Sequence, residues 1–235
     1  MTVGAKRDRS RGQMDGALAV THRRERMPVW QEAAGVLLGG VLALAGAAIS
    51  PRWTTRRRRA WEVAACALSG GLVARLILDR APGLGAAVPQ LLLAAVLITA
   101  SLVDLHERII PNELVLVTVA AWPVLHLLVP RFSWVWALGG AALGGGTLLL
   151  VALATRGGMG MGDVKLAGAF GLYLGLSETF VALAVAFLLG GLVSLALLAL
   201  GVVGRKDHIP FGPFLAAGAL VGLLYGDPLF RALGY

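Results

Sequence analysis

The chain has 235 residues, 57% of them hydrophobic and only 14% charged, with a net charge of +8 and a mean hydropathy of +0.78. Soluble domains carry about 25% charged residues, so an ordinary soluble fold is excluded; apolar runs of about 18 residues or more recur and can each cross a hydrocarbon core of roughly 30 Å. The Lys and Arg residues gather in the N-terminal tail and short loops, the pattern that orients spans and touches anionic lipid rather than nucleic acid, and the single cysteine, Cys66, rules out an internal disulfide or a cysteine zinc site.

These features predict an all-α, polytopic helical membrane protein; the short alternating segments of a membrane barrel are absent. Residues 1–28 are polar and basic, with Lys6, Arg7, Arg9, Arg11, Arg23, Arg24 and Arg26. They contain no apolar core of a signal peptide and read as a disordered tail. Residues 29–235 read as one membrane domain. About eight spans are expected, at roughly 30–49, 61–78, 86–103, 113–129, 134–154, 163–176, 179–203 and 212–230. The sixth is short, and Gly and Ala throughout the spans predict a closely packed bundle.

The loop at 50–60, S-P-R-W-T-T-R-R-R-R-A, assigns itself to the cytoplasm. Alternation then puts 104–112, 155–162 and 204–210 on the same side, with Arg108, Arg156, Arg205 and Lys206. The opposite loops carry Asp79 with Arg80, then Arg131, then Glu178. The basic tail conflicts with this orientation if the first segment spans. Three explanations compete: the segment does not span, the R-R-R-R loop overrides the tail, or translation starts at Met27; the last is preferred.

Three constellations carry chemistry. The first is Asp104 to Asn112, D-L-H-E-R-I-I-P-N. Pro111 disfavours helix at Ile110 and suits the first turn of the following helix, so the third span ends near Asp104. Taken alone, Asp104 reads simply as the first polar residue after a span. The second is G-M-G-M-G-D-V-K, where glycines allow close backbone approach and Asp163 opens a helix whose dipole favours negative charge. Lys165, two residues on, lies about 200° around the helix and does not face Asp163. The third is His208 to Phe214, H-I-P-F-G-P-F, which reads either as helix punctuation or as a wall of a substrate groove.

Topology joins the first two. Asp104 ends a span going in and Asp163 begins one going out, so both lie at similar depth on the cytoplasmic side. A carboxylate at a span edge is costly and reads by default as functional. Two close carboxylates resist double ionisation and share a proton, giving one base to activate water and one acid for the leaving group. Other chemistries lack their parts. H-E-R at His106 misses the second histidine of H-E-x-x-H, no G-x-S-x-G occurs, and the G-x-x-x-x-G-K-[ST] phosphate loop is absent. His126 reads as a packed histidine within the fourth span.

Together the three constellations resemble the prepilin peptidases, or type IV leader peptidases, membrane aspartic proteases with a G-x-G-D signature. The resemblance rests on D-L-H-E-R-I-I-P-N, on G-M-G-D-V-K at 160–165 and on I-P-F-G-P-F at 209–214, and it covers roughly residues 86–225, the expected peptidase core. It implies that Asp104 and Asp163 are the catalytic pair. Gly160, Gly162, Lys165, Pro111, Asn112, Pro210, Phe211, Gly212 and Pro213 are expected to bind substrate or shape the site. The implied activity is cleavage of the basic leader from prepilins or pseudopilins after a glycine, at the cytoplasmic face of a bacterial plasma membrane, with no metal or organic cofactor. Implied partners are these substrates, membrane lipid and the pilus or type II secretion machinery. One departure stands out: fuller members carry a large cytoplasmic loop with paired C-x-x-C motifs after the first span, whereas here it shrinks to about Arg52–Ala60 without cysteines. N-methyltransferase activity, associated with that loop, is therefore not expected. The rival reading is a proton-coupled transporter or a non-catalytic assembly factor, with the aspartates as a proton relay; a relic that binds pilins without cutting them is a third.

Overall fold

The computed structural model describes residues 60–81, 83–131, 133–155, 158–204 and 209–232. The basic tail, the first expected span and the R-R-R-R loop lie outside the described residues, as do Arg156, Arg205, Lys206 and His208. Among the described residues there are six helices and no strand: α1 (Ala60–Arg80), α2 (Leu84–Glu107), α3 (Asn112–Leu128), α4 (Trp134–Ala154), α5 (Met161–Ala199) and α6 (Gly212–Ala232). Of these, α2, α4 and α5 are long and apolar enough to cross a membrane, and α3 and the first part of α6 are shorter apolar helices. Leu116, Leu127, Leu150, Leu153 and Leu195 stand outward and exposed. So much apolar surface suits lipid and not water, and the chain is a helical membrane protein. The described residues do not establish the expected count of eight spans.

The sixth and seventh expected spans appear as the two halves of α5. At 39 residues a straight α5 would run about 58 Å. It is not straight. Gly175 interrupts it with φ 73° and ψ −171°, a conformation open in practice only to glycine. The packing of α4 shows the consequence. A Cβ on Gly144 would meet both the Ala167 carbonyl and the Thr179 methyl. Those two residues would lie about 18 Å apart along a straight helix, so the chain reverses at Gly175 and both halves pack on α4. Gly140 meets Gly171 and Gly175 in the same way. The closest of these contacts are to backbone atoms, and a side chain at Gly140 or Gly144 would leave no room for them.

The first half of α5, residues 161–174, is the centre of the bundle. Leu166, Phe170 and Leu174 are fully buried, and nearly every other residue of this half is buried too. A helix apolar all round belongs in such a place. The Tyr173 hydroxyl donates to the Thr118 carbonyl oxygen of α3 at 2.8 Å, which satisfies its one polar group. The second half packs antiparallel to α6, with Ala182 against Gly218 and Glu178 against Gly222 and Gly226.

One loop assignment needs correction. Glu178 was expected in a loop, but it lies inside α5 just past the reversal and is 4% exposed. Its carboxylate accepts from the Arg131 guanidinium at 2.7 Å. A charge buried there requires such a partner, so the reversal is pinned to the loop between α3 and α4. His126 is buried as expected, stacked on Trp122 at 4.8 Å and edge-on to Trp134 at 5.0 Å.

Candidate active site

Asp104 sits in the last turn of α2, where its carbonyl accepts the Arg108 N–H at 2.9 Å. The helix stops there because Arg108 turns left-handed, with φ 56° and ψ 33°, and its amide closes the final turn. Residues 109–111 then run outside any helix, and Pro111 is the N-cap of α3 at φ −61° and ψ 132°. Pro111 therefore precedes the first helical residue and does not occupy the first turn.

The Asp104 side chain is 5% exposed. Its Oδ2 accepts the Gly212 backbone N–H at 2.8 Å, a buried bond across 108 residues of sequence. Gly212 is the first residue of α6, so this carboxylate occupies a helix N-terminus, where unsatisfied amides favour negative charge. A Cβ at Gly212 would stand 2.6 Å from that same oxygen and 2.9 Å from Asp104 Cγ. The glycine of P-F-G-P is thus required by the carboxylate it touches.

Asp163 lies in the first turn of α5 and is 8% exposed. Its N–H donates to the Gly160 carbonyl at 3.1 Å. Its Oδ1 is buried and has no hydrogen-bond partner among the described residues. Such a group is costly to bury unless something else is to bind it. Ile110, just past the end of α2, packs on Gly162 at the start of α5, so the helix ends that carry Asp104 and Asp163 lie side by side.

The two glycines before Asp163 have different reasons. A Cβ on Gly160 would come to 3.2 Å from Asp163 Oδ2 and crowd the carboxyl. A Cβ on Gly162 would come to 2.9 Å from Ile110 Cβ. The chain that approaches Gly162 is therefore the protein's own 109–111 segment. Lys165 turns away from Asp163 as expected, and its Nζ donates to Asn112 Oδ1 at 2.9 Å. Phe211 packs on Gly190 in the second half of α5, with its ring 5.6 Å from Phe187. Its carbonyl accepts the Phe214 and Leu215 N–H groups at 3.0 and 3.1 Å, capping α6. Pro213, in the first turn of α6, needs no amide partner, and Pro210 keeps the chain before it out of helix.

The three constellations thus meet at one end of the bundle. The sequence did not mark the Gly212–Asp104 bond, the Ile110–Gly162 contact or the Lys165–Asn112 bond: a backbone amide or an aliphatic contact has no residue signature, and the Lys165–Asn112 pair is 53 residues apart in the chain. Among the described residues, no cluster of three or more His, Cys, Asp or Glu could hold a metal. A separate cavity of about 260 Å³, lined by Gln90, Trp122, His126, Arg131 and Tyr173 among others, lies at the far end and does not reach either aspartate.

Residues 91–195 match the Type IV leader peptidase family. The chain is 33% identical over 141 residues to a prepilin leader peptidase/N-methyltransferase of Bacillus subtilis (strain 168), covering 60% of this chain and 57% of that protein. It is 32% identical over 173 residues to a protein of the same name from Aeromonas hydrophila, covering 70% and 58%. A third, from Burkholderia pseudomallei (strain 1026b), is 32% identical over 171 residues, covering 71% and 55%. The chain therefore spans little more than half the length of these relatives. No solved structure matches it.

Proposed function

We propose, from the match of residues 91–195 to the Type IV leader peptidase family, that the protein is a membrane aspartic endopeptidase that removes the basic leader of prepilin or pseudopilin substrates. The observation that carries the reading is the burial of two carboxyls, Asp104 and Asp163, at adjoining helix ends, with the Gly212 amide on one of them.

The chemistry follows from that arrangement. Asp104 and Asp163 hold one proton between them. The ionised carboxylate takes a proton from water as the water oxygen attacks the scissile carbonyl carbon, and the protonated carboxyl donates towards the carbonyl oxygen. Collapse of the tetrahedral intermediate breaks the C–N bond, and the proton taken from water passes to the leaving amine. The products are a free carboxylate on the leader and a free amine on the shortened chain. Exclusion of bulk water around both carboxyls strengthens every one of these interactions.

In this reading the chain crosses a bacterial plasma membrane about eight times, residues 1–28 form a tail, and residues 29–235 form the membrane domain with its peptidase core at about 86–225. Alternation of the expected spans puts Arg108, Arg156, Arg205 and Lys206 on one side of the membrane with the two aspartates, which supports a cytoplasmic orientation for the site. Gly160, Gly162, Pro111, Asn112, Pro210, Phe211, Gly212 and Pro213 shape it, and pilus or secretion machinery receives the product. The relatives' names include N-methyltransferase. Methyl transfer is not ascribed to this chain, whose 52–60 loop carries no cysteine.

The test is cleavage of a prepilin-type substrate in liposomes by wild type, Asp104→Asn and Asp163→Asn, with folding checked for each. A leader-sized fragment should appear with wild type and fall by at least about 1,000-fold in either variant. Undiminished cleavage by both variants would remove the aspartic mechanism.

A further inference from the structure

The first turn of α6 opens with the backbone of residues 212–215. The Phe214 and Leu215 N–H groups donate back to the Phe211 carbonyl at 3.0 and 3.1 Å, and Pro213 has no N–H to offer. The Gly212 N–H instead leaves the turn and donates to Asp104 Oδ2 at 2.8 Å. The Phe211 carbonyl and the Gly212 N–H belong to one planar, trans peptide unit, so they point in opposite directions from the same rigid plate. One edge of that plate closes α6 and the other holds the carboxylate. It cannot rotate to release Asp104 without also opening the first turn of α6.

The Phe211 side chain fixes where the plate lies. A Cβ on Gly190, in the second half of α5, would stand 2.9 Å from Phe211 Cε2, 3.4 Å from its Cδ2 and 3.5 Å from Phe214 Cδ2. The ring therefore lies directly on the bare backbone of Gly190, which is buried. Phe187 flanks the ring at 5.6 Å and Phe214 at 6.2 Å between centroids. A ring held on three sides has no open rotamer to escape into, so a push on its edge passes to its own backbone. The fit is particular to Gly190: a Cβ on Gly191, one residue along, would meet nothing within 4 Å.

We propose that Phe211, seated on Gly190, is a positioning residue for Asp104: its ring sets the place of the 211–212 peptide, and through the Gly212 amide the direction of the carboxylate. The inference rests on the peptidase reading of the site for its kinetic readout. It extends the support of the reacting groups to the second half of α5, a helix segment that carries neither aspartate.

The test compares full-length wild type, Gly190→Ala, Phe211→Leu and the double variant, with Gly191→Ala as the matched control. Two quantities are read. One is kcat and KM on a prepilin-type substrate in liposomes. The other is hydrogen exchange in detergent at the Gly212 amide, whose signal in glycine-labelled protein is the one lost from Gly212→Ala. In Gly190→Ala the ring must give by about 0.5 Å, the difference between 2.9 and 3.4 Å; kcat should fall about tenfold with KM retained, and Gly212 exchange should quicken about tenfold. Leu at 211 lacks the ring carbon that the new methyl strikes. Gly190→Ala/Phe211→Leu should therefore exceed Gly190→Ala in kcat by at least about threefold and regain amide protection, whereas a merely destabilising role would make the two losses add. Gly191→Ala should match wild type. Wild-type kcat in Gly190→Ala, a fall in kcat with unchanged Gly212 exchange, or additive losses in the double variant would each overturn the proposal. Should Gly190→Ala not fold, Phe211→Ala, which empties the seat, must show the same two losses or the proposal fails. If wild type cuts nothing, the peptidase reading fails separately and the amide decides: exchange quickened in Gly190→Ala and restored in the double variant supports the positioning role, and unchanged exchange overturns it.

Discussion

The sharpest test of the site geometry is Gly212→Ala. The new methyl carbon would stand 2.6 Å from Asp104 Oδ2, whereas ordinary contact begins at 3.4 Å. The carboxyl must retreat by the difference, about 0.8 Å, or α6 must shift its first turn outward by the same amount. Either movement stretches the 2.8 Å bond from the Gly212 amide, and a hydrogen bond to a charged group contributes about 1.5–3 kcal/mol. A displacement of this size in a reacting group costs about 100-fold in rate, equivalent to about 2.7 kcal/mol of barrier. The assay is single-turnover cleavage of a prepilin-type substrate in liposomes, alongside thermal unfolding in detergent. The expected result is a rate about 100-fold below wild type in protein that still elutes as a folded species. Gly146→Ala is the matched control, because a Cβ there meets nothing within 4 Å. Cleavage by folded Gly212→Ala within about threefold of wild type would refute the claim that this amide positions Asp104, since such a loss is under about 1 kcal/mol.

Three further outcomes follow from the same contacts. Gly162→Ala brings a methyl to 2.9 Å from Ile110 Cβ, a milder overlap, so cleavage should fall about tenfold, read in the same assay. Arg131→Ala removes the 2.7 Å partner of Glu178, whose side chain is 5% exposed; stability should drop by about 2–3 kcal/mol, below the usual range for buried pairs because Arg131 keeps one-third of its exposure. That loss should appear as a lower unfolding midpoint, with cleavage retained at low temperature because the pair lies far from Asp104. Gly144→Ala drives a methyl into the Ala167 carbonyl and should cost at least about 2 kcal/mol, while Gly146→Ala should leave stability equal or raise it by up to about 1 kcal/mol; comparing their unfolding midpoints checks both.

Much of the helical order was legible because apolar runs in a membrane protein are delimited by the residues that interrupt them. The runs at 86–103, 113–129 and 134–154 became α2, α3 and α4 with ends within a few residues. Proline and the charged cluster at 106–108 fixed one boundary, and Ser133, which accepts the Trp136 N–H, fixed another. The reversal at Gly175 was legible only as a gap between two expected spans, because one glycine among 32 carries no mark of its conformation. Topology sufficed to put Asp104 and Asp163 at the same end. What held them was not legible: the Gly212 amide is a donor that any residue but proline offers, and only coordinates reveal that a side chain there has no room. Arg131 and Glu178 read as two unrelated loop charges, since their pairing depends on the fold that the reversal creates.

The two carboxyls are held by different devices, and the difference bears on what evolution could vary. Asp163 belongs to the helix at the centre of the bundle. That helix is fixed by glycine contacts to α4, by Tyr173 to α3 and by the turn at Gly175. Each helical glycine costs about 1 kcal/mol against alanine, and the close backbone packing it permits offsets that cost only if its neighbour also stays small. The position of Asp163 is therefore over-determined, and single outward-facing changes on α4 should not move it. Asp104 lies in the last turn of α2 and is oriented by one amide from α6, a helix that reaches it through the antiparallel packing of Gly218, Gly222 and Gly226 against the second half of α5. Any change that slides α6 along that seam reaches Asp104 before it reaches Asp163. Substitutions distant from the site but lying in the seam should thus act on cleavage through Asp104, which makes Gly218, Gly222 and Gly226 part of the active-site support although they touch no aspartate.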